Sequence, residues 1–157
     1  MLYQEFLSDF IRLCALNGTE NIVIETKGDL EPNATLNGCL QETLCHVTFL
    51  IGLHVEDEAS FNLPVLRRYL EYVKHYEYID VQFQFFVKSD NLDKVLETRD
   101  AILEGRNGDY QYFKNLLTPR VLLTPLKHGG KIATFCVEHG FTYAPRLTVT
   151  DGRIENE

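Results

Sequence analysis

Four short runs rich in β-branched and aromatic residues punctuate this chain: Asn21-Ile22-Val23-Ile24-Glu25-Thr26, Cys45 to His54, Ile79 to Val87 and Val121-Leu122-Leu123-Thr124-Pro125. Each reads as a buried strand. The stretches after the second and third runs carry apolar residues at helical spacing, as does the chain before the first. Strands that alternate with helices of about ten or more residues are joined by crossovers and run parallel, so the pattern predicts an α/β fold.

Each helical stretch has its own stripe and its own ends. Leu2, Phe6, Phe10 and Leu13 form the first stripe, widened by Leu7, Ile11 and Cys14, and Asn17-Gly18 ends it. Leu63, Leu66, Leu70 and Val73 form the second, with Asn62 as N-cap and Pro64 in the first turn, where a missing N–H costs nothing. Asp90 is placed to cap a third helix, whose face is Leu92, Val95, Leu96, Ile102 and Leu103. Gly105 to Gly108 breaks it, and Tyr110 to Leu117 reads as a short helix. Gly129-Gly130 opens the last helix, with Ile132, Phe135 and Cys136 on its face, and His139-Gly140 closes it. Residues 27–42 are polar, contain Pro32 and Gly38, and read as a long loop. Phe141 to Val149 reads as extended. The expectation is a single α/β domain over residues 1–150, a mainly parallel open sheet with flanking helices. An acidic tail, 151–157, is expected to fray.

The 157 residues are enough to bury a real core, and 45% apolar with 24% charged residues is an ordinary globular balance. Lys and Arg number 15 against 23 for Asp and Glu, a formal charge of −8, and the basic residues are scattered. That argues against electrostatic binding to nucleic acid or to an anionic membrane. No apolar run is long enough to span a bilayer and the N-terminus has no leader-like pattern, so the expected location is cytoplasmic. Cys14, Cys39, Cys45 and Cys136 match no zinc or redox spacing. Cys39 and Cys45 with His46 make an incomplete metal set lacking a fourth ligand nearby, and no metal site is assigned. Asn33-Ala34-Thr35 fits a glycosylation sequon without any other sign of secretion. The nucleophile-elbow, P-loop and zinc-protease motifs are absent from the sequence.

A parallel sheet binds its ligands beyond the carboxyl ends of its strands. Here those ends are Glu25-Thr26-Lys27-Gly28, Leu53-His54, Lys88-Ser89 and Thr124-Pro125, polar or small just where the apolar runs stop.

The order of motifs resembles a known family. A helix such as Leu2–Asn17 followed by Ile22-Val23-Ile24-Glu25-Thr26-Lys27-Gly28 resembles radical S-adenosylmethionine (SAM) enzymes of the activase type. In these a Gly-Gly-Glu-Pro strand end leads into such a helix, and the next strand ends in Ile-Glu-Thr-(Asn/Ser)-Gly. Phe83-Gln84-Phe85-Phe86-Val87-Lys88-Ser89, followed by an acidic helix, is similar to the fifth strand of 7-carboxy-7-deazaguanine synthases. Phe135 to Leu147 is similar to their C-terminal helix and strand. The resemblance spans roughly residues 2–149.

The resemblance implies part of a partial (βα) barrel. It also implies a departure, because the family's CxxxCxxC loop, which holds an iron–sulfur cluster, has no counterpart here. No iron–sulfur cluster is therefore expected on this chain, and radical chemistry is not expected of it alone. In the family, SAM and the cluster convert 6-carboxytetrahydropterin with magnesium assisting. This chain would supply later strands of such a site, with SAM as its implied cofactor. Its first strand, 22–26, would then lack an upstream partner. That edge is expected to be covered by another chain, by a second copy, by the 27–42 loop or by the C-terminal strand.

The implied cofactor-side residues are Glu25, Thr26, His54, Lys88, Ser89 and Pro125, with Arg146 toward a substrate carboxylate. Plainer roles stand beside these. Glu25 can pair with Lys27 or cap a helix, Ser89 can cap the next helix, His54 can pair with Glu56 or Asp57, and Arg146 can form a surface salt bridge. Gly129-Gly130 can form an anion cradle or a plain turn. The alternative to a split enzyme is a non-catalytic binding or assembly protein that uses its exposed sheet edge.

Overall fold

The chain folds as an alternation of helices and strands in the computed structural model, which describes residues 2–29, 31–56, 62–104, 122–125, 129–143, 147–150 and 153–156. Helix α1 (Leu2–Leu16) is followed by β1 (Asn21–Thr26), α2 (Ala34–Glu42), β2 (His46–Leu53) and α3 (Leu63–His75). Then come β3 (Ile79–Val87), α4 (Leu92–Leu103), β4 (Leu122–Pro125), α5 (Gly129–Glu138) and β5 (Thr142–Tyr143). A hairpin, β6 (Leu147–Thr150) and β7 (Arg153–Asn156), ends the chain.

Strands β1 to β5 form one sheet in chain order, and every neighbouring pair is parallel. The predicted α/β class and mainly parallel open sheet are therefore what the chain adopts. The order carries a further consequence. A doubly wound sheet reverses direction at a switch point and so acquires helices on both faces. A sheet wound in one direction places each crossover on the same side.

The contacts agree with that geometry. Phe49 meets the Tyr69 ring of α3 edge-on at 5.2 Å, and Phe85 faces Phe141, which stacks on Phe135 of α5. Both Phe49 and Phe85 belong to the odd-numbered face of their strands. The helices also touch one another in sequence. The Cys39 thiol of α2 donates to the Ser8 carbonyl of α1, Tyr72 of α3 donates to Asn37 of α2, and Arg67 of α3 donates to the Ala101 carbonyl of α4. Arg99 of α4 lies over the Phe141 ring at 5.2 Å. Val47, Phe49, Ile51 and Leu53 of β2 and Val81, Phe83 and Phe85 of β3 are buried beneath this helical layer.

Caps explain the helix limits. Gly18 ends α1 at φ +77°, with Thr19 N–H bonding the Cys14 carbonyl and Gly18 N–H the Ala15 carbonyl, a Schellman arrangement. Asn62 caps α3 through Val65 N–H, as predicted, with Pro64 in the first turn.

Elsewhere the structure departs from the sequence reading. Residues 34–42, expected within a loop, form α2. Asn33 accepts from Leu36 N–H at 2.9 Å, and Leu36, Cys39 and Leu40 turn inward at helical spacing. The cap of α4 falls on Asn91 rather than Asp90 or Ser89, and Asn91 makes no side-chain capping bond. The tail does not fray along its whole length, since Arg153–Asn156 pairs antiparallel with Leu147–Thr150. The run Phe141 to Val149 divides between β5 and β6. Residues 105–121, with the expected short helix at 110–117, lie outside the described residues.

Among the described residues, neither the 27–42 segment nor the C-terminal strand pairs with the β1 edge. Segment 34–42 packs as a helix against α1 and α3, and the C-terminal hairpin pairs with itself. Among the described residues β1 has no strand on its outer side.

Candidate functional site

The face that carries the even-numbered residues of β2 and β3 and the odd-numbered residues of β1 has no helix against it among the contacts of the described residues. Register defines its rows. Asn21 lies beside His46, and Val23 beside Thr48 and Asp80. Glu25 lies beside Leu50 and Gln82, and Gly52 beside Gln84. This face is polar where the other is apolar, and its residues are half-buried on β2 and β3 and exposed on β1. Gln82 Nε2 donates to Asp80 Oδ2 at 3.2 Å along the face.

At the carboxyl end of this face sits a cluster. His54 follows β2 and stacks on Phe86 of β3, centroids 4.1 Å apart and planes within 9°. Gly52 leaves room for the Phe86 ring, which a Cβ there would meet at 3.3 Å. Lys88 Nζ lies 3.2 Å from Glu56 Oε1. Asn91, buried in the loop before α4, ties the group together. Its Nδ2 donates to Glu56 Oε1 at 2.9 Å and to the Phe86 carbonyl at 3.2 Å, and its Oδ1 accepts from Lys88 N–H at 2.9 Å. Burial raises the Glu56 carboxyl, but the hydrogen bonds from Lys88 and Asn91 and the charges of Lys88 and His54 outweigh it. They hold Glu56 below its ordinary 4.5.

The structure thus brings together His54 and Lys88 of the predicted residues. It adds Phe86, Glu56 and Asn91, which sequence reasoning did not select. Glu56, which the sequence offers as a partner for His54, bonds Lys88 and also feels the His54 charge.

The remaining candidates divide. Glu25 is on the same open face, but β1 stops opposite Ile51 while β2 runs on to Leu53. Glu25 is level with Leu50, about 13 Å short of His54 along the strand direction at the usual rise. Thr26, the next residue, projects to the opposite, helix-covered face. There its hydroxyl accepts from Gly28 N–H at 3.2 Å and bonds the Tyr69 phenol. Thr26 is therefore a supporting group under α3 and not a partner of Glu25. Burial first, and then the neighbouring Tyr72 and Asp29, push the Tyr69 phenol up to about 12 against a smaller opposing effect of the Thr26 bond. Ser89 is exposed next to the cluster. Pro125 is level with Val87 at the end of β4. Arg146 lies outside the described residues.

The cysteines do not fit an iron–sulfur cluster. Cys39 and Cys45 are buried, with their thiols bonded to the Ser8 and Thr19 carbonyls. Cys136 is buried in α5, and burial is the leading cause pushing the thiols of Cys39 and Cys136 up, toward the form that binds metal poorly. Among the described residues no group of three His, Cys, Asp or Glu side chains is placed to hold a metal ion. No helix among them is long and apolar enough to cross a membrane.

No protein-family model matches the chain, and no curated protein or solved structure matches it either.

Proposed function

We propose that the protein is a split relative of the radical SAM enzymes of the 7-carboxy-7-deazaguanine synthase type, not catalytically competent alone. It supplies the later strands of a partial barrel, and a partner chain supplies the rest, cluster included. One observation carries this reading. The strands lie in chain order with helices on one face, so the other face is left as a polar wall with a bare first edge. A partial-barrel wall likewise carries its helices outside and leaves its inner face to the site. In this reading His54 and Phe86 offer a flat stacking surface at the strand ends, Lys88 and Glu56 offer charge, and Asn91 positions both charges. SAM, when bound, would supply the reactive group. This chain's share is the binding and orienting of whatever lies across the open face, in cytoplasm, without nucleic acid or membrane as partner.

The test is anaerobic reconstitution with iron and sulfide, with and without candidate partner chains. The expected result is a brown chromophore at about 400 nm only when the partner is present. Thermal shift with SAM should then show stabilisation of the pair. No chromophore with any co-purifying chain, and no shift with SAM, would overturn the proposal.

A second reading is favoured by a separate observation. Val23 of β1 is exposed at 63%, and Phe6, Phe10 and Leu13 of the preceding helix α1 at 70%, 44% and 58%. The protein would then be a non-catalytic assembly module whose working surface is β1 and its surroundings.

A further inference from the structure

We infer that the outer edge of β1 accepts an extended, basic segment of another protein, which joins the sheet as an additional strand. This rests on the second reading above, that the edge is an interaction surface, and names what the edge takes.

The ladder shows which groups are offered. His46 N–H donates to the Glu20 carbonyl at 2.8 Å, and β1 runs parallel to β2 from Asn21↔His46 to Thr26↔Ile51. A parallel ladder uses alternate residues of each strand. Glu20, Ile22, Ile24 and Thr26 therefore turn their backbone groups toward β2. Those of Asn21, Val23 and Glu25 point outward. β1 has no proline, and its one charged residue, Glu25, is exposed.

Helix α1 extends the surface. At 100° per residue, Ile11, Leu7 and Cys14 face the core and Ser8 faces α2, where its carbonyl takes the Cys39 thiol. Phe10 comes out on the flank away from α2, while Phe6 and Leu13 turn nearer to the side opposite the core. The helices follow one another in the same order as the strands, so that flank lies on the β1 side, above the place of an added strand. An incoming strand would bond Asn21, Val23 and Glu25 through its main chain, with Val23 on one face and the α1 flank on the other.

Charge selects the occupant. On β1 and the residues flanking it the exposed carboxylates Glu20, Glu25 and Asp29 outnumber the cation Lys27. The protein as a whole carries −8. A second copy would bring the same carboxylates and the same net charge to the interface, whereas a basic strand neutralises them.

The experiment uses the full chain and three octapeptides. One alternates Val and Lys and is N-methylated along one edge so that it cannot stack on itself. The second is its Val/Glu twin, and the third is the Val/Lys peptide interrupted by a central proline. Hydrogen exchange is read at Val23 and Glu25, and affinity by fluorescence anisotropy. The expected result is exchange slowed by about tenfold or more with the Val/Lys peptide alone, and binding tighter than that of the other two by at least about tenfold. Glu20→Lys combined with Glu25→Lys, both at exposed positions, should transfer the preference to the Val/Glu peptide. If the Val23 and Glu25 amides are already protected in the free protein, the open-edge reading falls. If they exchange fast and stay fast with every peptide, or all three peptides bind alike, the basic-strand occupant falls alone. Sedimentation as a dimer that Val23→Lys dissociates would replace that occupant with a second copy.

Discussion

The two faces of the β2–β3 pair share one backbone and differ at every row. On the odd-numbered side Phe49, Ile51, Val81, Phe83 and Phe85 are each 2% exposed or less, sealed by α3 and its neighbours. On the other side Thr48, Leu50, Asp80, Gln82 and Phe86 are half-buried and mostly polar. Burying one large apolar side chain contributes roughly 1.5–3 kcal/mol. Folding is therefore driven almost wholly by one face. The second face contributes little to stability and is free to be chosen for what it meets. The same division continues to the strand ends, where Thr26 supports Tyr69 under the helices and His54 and Lys88 stand on the open side.

The largest expected effect tests the division directly. Phe49→Ala should cost about 3–5 kcal/mol in urea denaturation, through a cavity beneath Tyr69. Gln82→Ala, on the open face of the neighbouring strand, should cost less than about 1 kcal/mol. Equal losses would mean that both faces are core.

Gly28 probes where β1 leaves the sealed side. Its φ is +66°, and a Cβ there would stand 2.6 Å from Leu66 Cδ2 and 2.8 Å from Ile51 Cγ2. Gly28→Ala should cost about 1–3 kcal/mol, from backbone strain and overpacking together, measured as a lower urea midpoint at unchanged slope.

Asn91 holds the open side's only described cluster of bonded strand-end groups. Asn91→Ala strips bonds from Glu56, the Phe86 carbonyl and Lys88 N–H, and should cost about 1–3 kcal/mol. Amide exchange should quicken at Lys88 while Phe49 stays protected. A loss of protection throughout β2 would show that the cluster is part of the core.

The titrations give the smaller contrasts. Tyr69, on the sealed side, has its phenol raised from 10.0 to about 12. Its neutral form therefore contributes stability that is complete below pH 10 and lost as the pH climbs toward 12. Ultraviolet titration should show late phenols, from Tyr69 and from Tyr72, whose phenol burial also raises, and Tyr69→Phe should remove the later part. Glu56, on the open side, is shifted the other way. Its contribution is present at neutral pH and lost as the pH falls below 4.5, and at a partly exposed ion pair it is less than about 1 kcal/mol. Heteronuclear NMR should show Lys88 and Asn91 signals moving with that acid titration and those of the sealed face holding still.

Much of the fold was legible because local pattern and tertiary structure agree in it. The Ile79–Val87 run and the Asn62-Leu63-Pro64 helix start carry their own evidence, and the strands and cap stand where the pattern placed them. Helix α2 was missed because three inward apolar residues in a nine-residue helix are few against a polar background containing Pro32 and Gly38. The C-terminal hairpin is signalled by Asp151-Gly152 between Thr150 and Arg153, but the acidic composition of the tail masks that signal. In the candidate site, the strand ends located His54 and Lys88. Glu56 and Asn91 lie 35 residues apart in sequence, and no local pattern could join them.

What the residues determined unaided is the four main strands and their parallel direction, since these follow from short apolar runs alternating with helical periods of about 3.6 residues along the chain. Which face the helices would seal, how far β1 falls short of β2, and therefore that Glu25 stands apart from the His54 cluster, were decided only in three dimensions. Register and crossover direction are relations between segments, set by how their surfaces pack, and no single segment encodes them.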